Sequence, residues 1–166
     1  VISDDCSTES YDDIVNEYLN RLSIRKTKTE YNCCPGNTRE AGVQAATGQW
    51  ICFSDHDDEF IDGALKMVKD FILSSGQKYY VITGWTHGKF YNMDNLWKTF
   101  DIHYKKDLMS HEDVYLSGMM NCAISQLNKW GETIPLVLTD APTYKWHHVE
   151  DSLSHRKYNG LEDFLE

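Results

Sequence analysis

The apolar run Trp50-Ile51-Cys52-Phe53, with the acids that follow it, constrains the fold of this chain more than any other stretch. Four consecutive residues of this kind suit a strand buried on both faces, and such a strand needs helices packed above and below it. The run stops at Asp55-His56-Asp57-Asp58-Glu59, which places four carboxylates within five residues. Carboxylates at that density repel one another unless a cation or a set of donors sits among them. They belong at a solvent-facing strand end, and in open α/β sheets ligands gather at the carboxyl ends of strands.

The neighbouring sequence supplies the helices that this strand requires. A first short strand over residues 1–4 ends in Asp4-Asp5, and the apolar residues Tyr11, Ile14, Val15, Tyr18 and Leu22 then recur at helical spacing, predicting a helix over 9–22 that lies on a sheet. A short basic strand is expected over 24–28 and a turn over 32–37. A second helix is expected over 37–46, closed by Gly48. The buried strand covers 49–54, and Ile61, Leu65, Val68 and Ile72 predict a helix over 61–73. Further strands are expected over 78–84, 134–139 and 144–148, a helix over 111–127, and an irregular connection with a possible helix over 86–104. Strand and helix alternate through the first half, so the expected class is α/β, with a mainly parallel sheet covered by helices.

Length and composition narrow the function. The 166 residues suit one domain, and 41% hydrophobic with 13% aromatic content is enough for a packed core. A net charge of −10 argues against a protein that coats nucleic acid or anionic membrane by bulk electrostatics. The longest apolar runs, 79–83 and 134–138, fall far short of the roughly 20 residues that cross a bilayer, so no transmembrane segment is expected. Five scattered cysteines without zinc spacing favour reduced thiols and a cytoplasmic setting, with peripheral membrane attachment left open. The chain opens without Met inside a strand-like stretch, so something is expected to precede Val1.

Four stretches, in order, carry a resemblance to a family. Val1-Ile2-Ser3-Asp4-Asp5-Cys6-Ser7-Thr8 is similar to a strand ending in an Asp-Asp-Gly-Ser-Thr motif. Asn32 to Gly42 resembles an Asn-rich loop running into an Ala-Arg-Asn-x-Gly helix start, and Gly48 to Asp58 resembles a Gly-Glu-Tyr-Ile strand with its Asp-x-Asp motif. His111-Glu112-Asp113-Val114-Tyr115-Leu116 resembles a Glu-Asp motif. Together they resemble the family 2 glycosyltransferases of GT-A fold, an α/β/α sandwich. Tyr144-Lys145-Trp146 with Ser152 to His155 is a weaker match to the family's closing strand and Ser-rich segment. The departures are the missing first strand and helix, Cys6 in place of Gly, and Glu40 in place of Asn.

The resemblance implies a nucleotide-sugar donor, UDP-linked by preference, a hydroxyl acceptor on a glycan or other polymer, and Mn²⁺ or Mg²⁺. A divalent cation suits the acid cluster, because these ions take hard oxygen ligands and usually only one or two carboxylates. Asp57 is the expected metal ligand, with Asp55 on the ribose or the metal and His155 as a late metal contact. Asp58 and Glu59 are expected to cap the following helix. Asp5, with Asp4 as understudy, would accept a hydrogen bond from uracil. Arg39, at a helix start, would meet the diphosphate, with a surface salt bridge as the alternative. Asp113 would be the general base and Glu112 would orient it or the acceptor. Trp85 is a candidate sugar platform against core packing, and at most one of His147 and His148 can face the site. The expected layout is one domain over 1–166, with a nucleotide-sugar half (1–60) and an acceptor half (61–166). Two rivals stay open: a non-catalytic sugar-nucleotide or glycan binder of the same fold, and a metal-dependent nucleotidyltransferase or hydrolase.

Overall fold

The computed structural model describes residues 1–32, 34–76, 78, 80–82, 89–105, 108, 112–132, 144, 145 and 147. The expected strand over 134–139 and the residues Cys33, Trp85, His111, Trp146, His148 and His155 lie outside the described residues. The chain forms two compact units, Val1–Gly48 with Ile102–Met120, and Gln49–Asp101 with Asn121–Glu166.

In the first unit, β1 (Ile2–Asp4) pairs in parallel with β2 (Lys26–Lys28), Ile2 opposite Lys26. Between them α1 covers Asp12–Tyr18, shorter than its periodic pattern. The chain leaves the helix in a turn where the N–H groups of Arg21 and Leu22 both bond the Tyr18 carbonyl. With so few turns the expected stripe does not pack as a unit: Val15 is buried while Ile14, Tyr18 and Leu22 are exposed. Helix α2 (Pro35–Ala45) starts two residues earlier than expected, because Pro35 brings a φ already suited to the first helical position and has no N–H to satisfy. Gly42 lets this helix approach β1 closely, since a Cβ there would stand 3.3 Å from that of Ser3. Cys34, the extended N-cap, is wholly buried and disulfide-bonded, which corrects the expectation of reduced thiols at that position; Cys6 and Cys122 are free.

In the second unit, β3 (Trp50–Cys52) pairs with β6 (Lys89–Asn92), and β6 with β5 (Tyr80–Ile82), both antiparallel. The six residues 83–88 between β5 and β6 are too few for the crossover that a parallel pairing needs, which accounts for the reversed direction. The core here joins Val68 and Phe90 with Trp50, Phe60, Phe71 and Ile72, and Phe53 packs its ring near Tyr91 and Trp97. Helix α3 (Ala64–Ser75) begins three residues after the expected start, because Gly63 takes the left-handed conformation (φ 81) at its N-cap. A second antiparallel pair joins β4 (Glu59–Phe60) to β7 (Tyr144–Lys145). Within 86–104, where the sequence has no clean period, the chain makes β6 and a π-helical stretch, Met93–Lys98, capped by the Asn92 side chain. Helix α4 runs over Glu112–Lys129. No described helix is long and apolar enough to cross a membrane.

Candidate active site

The first unit builds its acidic loop at the end of β1. Asp4 is buried, and its Oδ1 accepts the Ser7 N–H at 2.8 Å while Lys28 lies 3.5 Å from Oδ2. The hydrogen bonds from Ser7, aided by Lys28, hold Asp4 below its ordinary range against the opposing effect of burial. Asp4 thus serves the loop-capping role. Asp5 is half-buried: its Oδ1 accepts the Thr29 hydroxyl at 3.0 Å, and its carbonyl accepts the Asn32 amide at 3.0 Å. Cys6, directly after them, has φ 59, a left-handed geometry that glycine adopts freely, so the glycine usual in the family motif has a backbone reason.

The same unit brings Arg39, Glu112 and Asp113 together. Arg39 Nη1 donates to Glu112 Oε1 at 2.6 Å and stands 3.5 Å from Asp113 Oδ1. The Arg39 and Glu112 side chains are 14% and 11% exposed, while that of Asp113 is 48% exposed. The pair is therefore largely withdrawn from water, and Asp113 presents its carboxylate outward. The diphosphate expectation for Arg39 meets a guanidinium already engaged by these two acids.

The second unit holds the Asp-x-Asp turn. The Asp58 N–H bonds the Asp55 carbonyl at 3.2 Å, and β7 straps this turn from the side. The Asp55 N–H donates to the Tyr144 hydroxyl at 3.2 Å, that hydroxyl donates to Ser54 Oγ at 3.1 Å, and the His147 N–H donates to Asp58 Oδ1 at 2.9 Å. Burial, with the Asp58 charge adding to it, pushes the Tyr144 phenol up to about 12, so it stays protonated as a donor at all ordinary pH. Glu59 pairs with Lys145 at 2.7 Å and meets His147 Nε2 at 3.2 Å; Lys145 first and His147 second hold it below its ordinary range. Asp58 and Glu59 are therefore strapped to β7, which corrects their expected helix-capping role: the left-handed Gly63 delays the helix beyond their reach. Tyr144 was undervalued in the sequence, where only a weak aromatic match marked it. His56 is exposed and Asp57 half-buried.

Among the described residues, no three His, Cys, Asp or Glu side chains converge as a ready-made metal cage. Mg²⁺ and Mn²⁺ do not require one, since water and substrate phosphate fill most of their shell. Oδ2 of Asp58 is buried without a hydrogen-bond partner among the described residues, on a turn that also carries the carboxylates of Asp55 and Asp57. An uncompensated carboxylate oxygen is costly to bury, so this donor set fits a hard cation held by one or two carboxylates.

Known proteins resemble this chain in sequence and in fold. Staphylococcus aureus TarS, a poly(ribitol-phosphate) beta-N-acetylglucosaminyltransferase, is 36% identical over 73 residues, which is 43% of this chain and 13% of TarS. The structure of TarS 1–349 in complex with UDP-GlcNAc superposes with a TM-score of 0.78 at 22% identity, covering 97% of this chain and 52% of that one. The UDP complex of the same protein gives a TM-score of 0.69 at 22% identity, over 85% of this chain and 48% of that one. The chain thus spans about half of the solved TarS domain, and the likeness places the fold as GT-A-like α/β. The family model for glycosyl transferase family 2 matches residues 1–124, three quarters of the sequence and all four motif stretches, and the chain belongs to that family.

Proposed function

We propose that this chain carries the catalytic centre of a metal-dependent, inverting glycosyltransferase that moves a sugar from a UDP-sugar to an acceptor hydroxyl. The half-exposed Asp113 carboxylate beside a withdrawn Arg39–Glu112 pair carries the reading. UDP-GlcNAc, bound by TarS, is the donor the likeness favours, and a hydroxyl on a polyol-phosphate or glycan polymer is the matching acceptor. A cytoplasmic setting is proposed on the free thiols of Cys6, Cys52 and Cys122; the disulfide at Cys34 weighs against it.

In this mechanism Asp5 accepts the imide N–H of the uracil ring. Asp113 takes the proton of the acceptor hydroxyl as its oxygen attacks the anomeric carbon. The bond from that carbon to the diphosphate oxygen breaks, its electron pair leaves with UDP, and one displacement from the opposite face inverts the configuration. A bound divalent cation supplies charge neutralisation to the leaving diphosphate. Asp57 would hold it with help from Asp55, while the Tyr144 and His147 bonds fix the turn on which both sit.

Titration of UDP with and without Mn²⁺, beside an assay of UDP release from UDP-GlcNAc, tests this. The expected result is Mn²⁺-dependent UDP binding, lost in Asp57→Asn, together with UDP release by the wild type. Tight binding that ignores the metal would remove the cation from the reading. UDP binding without release would point to a non-catalytic binder, and release of phosphate to a hydrolase.

A further inference from the structure

We infer that Arg39 is a positioning residue for the general base, acting through Glu112, rather than a clamp on the donor diphosphate. This rests on the reading of Asp113 as the base. Helix α2 touches the chain around the start of α4 at three consecutive positions of one face. Gly36 is buried there, and a Cβ on it would stand 3.4 Å from both the Glu112 Cβ and the Lys105 carbonyl, so nothing larger than alanine has room. Arg39 follows one helical turn later, where i and i+3 share a face, and bonds Glu112 at 2.6 Å. Next to it Glu40, standing where the family motif has Asn, accepts the Tyr104 N–H at 3.0 Å. The chain between Tyr104 and Asp113 is thereby tied to α2 at both of its ends.

The charges explain why the base would need this. One guanidinium faces two carboxylates, and it makes its short contact to the withdrawn one, Glu112, leaving Asp113 at 3.5 Å and half exposed. Glu112 is thus compensated inside the fold and fixes the first turn of α4, while Asp113, its chain neighbour, keeps an accessible oxygen. A planar guanidinium bonded in this way is pre-organised. Drawing Nη1 away to a diphosphate would take this partner from a carboxylate withdrawn from water, which is unfavourable.

The test compares wild type with Arg39→Gln, Arg39→Lys and the double variant Arg39→Gln/Glu112→Gln, in the whole chain. Three quantities are read: kcat for UDP release from UDP-GlcNAc, the Kd for UDP against that for uridine, and the melting temperature. Loss of a residue that orients a reactive group costs about 10- to 100-fold, so kcat should fall by that factor in Arg39→Gln while the Kd for UDP stays within about threefold. Arg39→Lys should recover part of kcat. The double variant removes both members of the Arg39–Glu112 pair, so it should melt closer to wild type than Arg39→Gln does and still lack kcat, separating positioning from mere folding. A Kd for UDP weakened about tenfold or more with uridine unaffected would make Arg39 a diphosphate contact and overturn the inference, as would an unchanged kcat in folded Arg39→Gln. A wild type that neither binds UDP nor releases it sinks the glycosyltransferase reading itself, a distinct outcome.

Discussion

The two units handle crowded carboxylates in different ways. In the first, Glu112 and Asp113 face Arg39, and the guanidinium that compensates them is part of the same fold, itself 14% exposed. In the second, Asp55, Asp57, Asp58 and Glu59 share one turn and its exit. There the compensation comes from main-chain N–H groups and from an exposed Lys145–Glu59 pair, and one oxygen, Asp58 Oδ2, stays buried without a hydrogen-bond partner among the described residues. Under the proposed function this difference has a reason. A site that must keep a carboxylate charged at a fixed place benefits from a resident cation, whereas a site that must accept a cation benefits from leaving donor capacity unspent.

The sharpest way to break the comparison is to remove the reactive acid alone. Asp113→Asn keeps the shape and the Arg39–Glu112 pair, and the loss of a general base costs about 100- to 10,000-fold, so turnover should collapse while UDP binding survives. Unchanged turnover would remove Asp113 from its role. Next in size is the contrast between a withdrawn and an exposed acid. Glu112→Ala takes from Arg39 its short 2.6 Å contact and should cost about 2–3 kcal/mol in urea unfolding, somewhat below the cost of breaking a fully buried pair because a little solvent reaches it. Glu59→Gln removes an exposed partner of Lys145 and should leave the urea midpoint unchanged. Equal effects at the two positions would dissolve the distinction between the units.

Much of the first unit was legible because its signals are local. The strand-to-acid boundary at Asp4 and the helix at Glu112 rest on short-range periodicity and on chemistry that a single stretch carries. The grip of Arg39 on Glu112 was not legible. It joins residues 73 positions apart, and the sequence alone made Arg39 a helix-start anion site or a surface salt bridge with no partner named. The second unit hid more. Asp58 and Glu59 read as helix caps, because nothing near them announces that Tyr144 and Lys145 return to pair with β4 and that His147 takes up their hydrogen-bonding capacity. Strand β6 was hidden for another reason, since 86–104 has no clean period; its antiparallel direction then follows from the short connection from β5. In α1 the periodic pattern outran the helix, since apolar spacing marks which residues could share a face but not how far the helix continues.

The smallest effect concerns how each unit handles backbone strain beside its acids. In the second unit the left-handed residue after the acid cluster is Gly63 (φ 81), which adopts that geometry freely. In the first, the left-handed residue inside the acid loop is Cys6 (φ 59), whose Cβ crowds the backbone and whose thiol gains only a weak contact, 3.6 Å to the Glu30 carbonyl. A non-glycine residue in this region costs on the order of 1–2 kcal/mol, and glycine gives back about half of that through the greater freedom of its unfolded chain. Cys6→Gly should therefore stabilise the protein by about 0.5 kcal/mol, a small rise in the urea midpoint with unchanged slope. UDP affinity should hold or improve, because the Asp5 carboxylate keeps its bond from Thr29. A destabilised Cys6→Gly variant would mean that the thiol contact outweighs the strain, and the loop would then be held by its side chain rather than in spite of it.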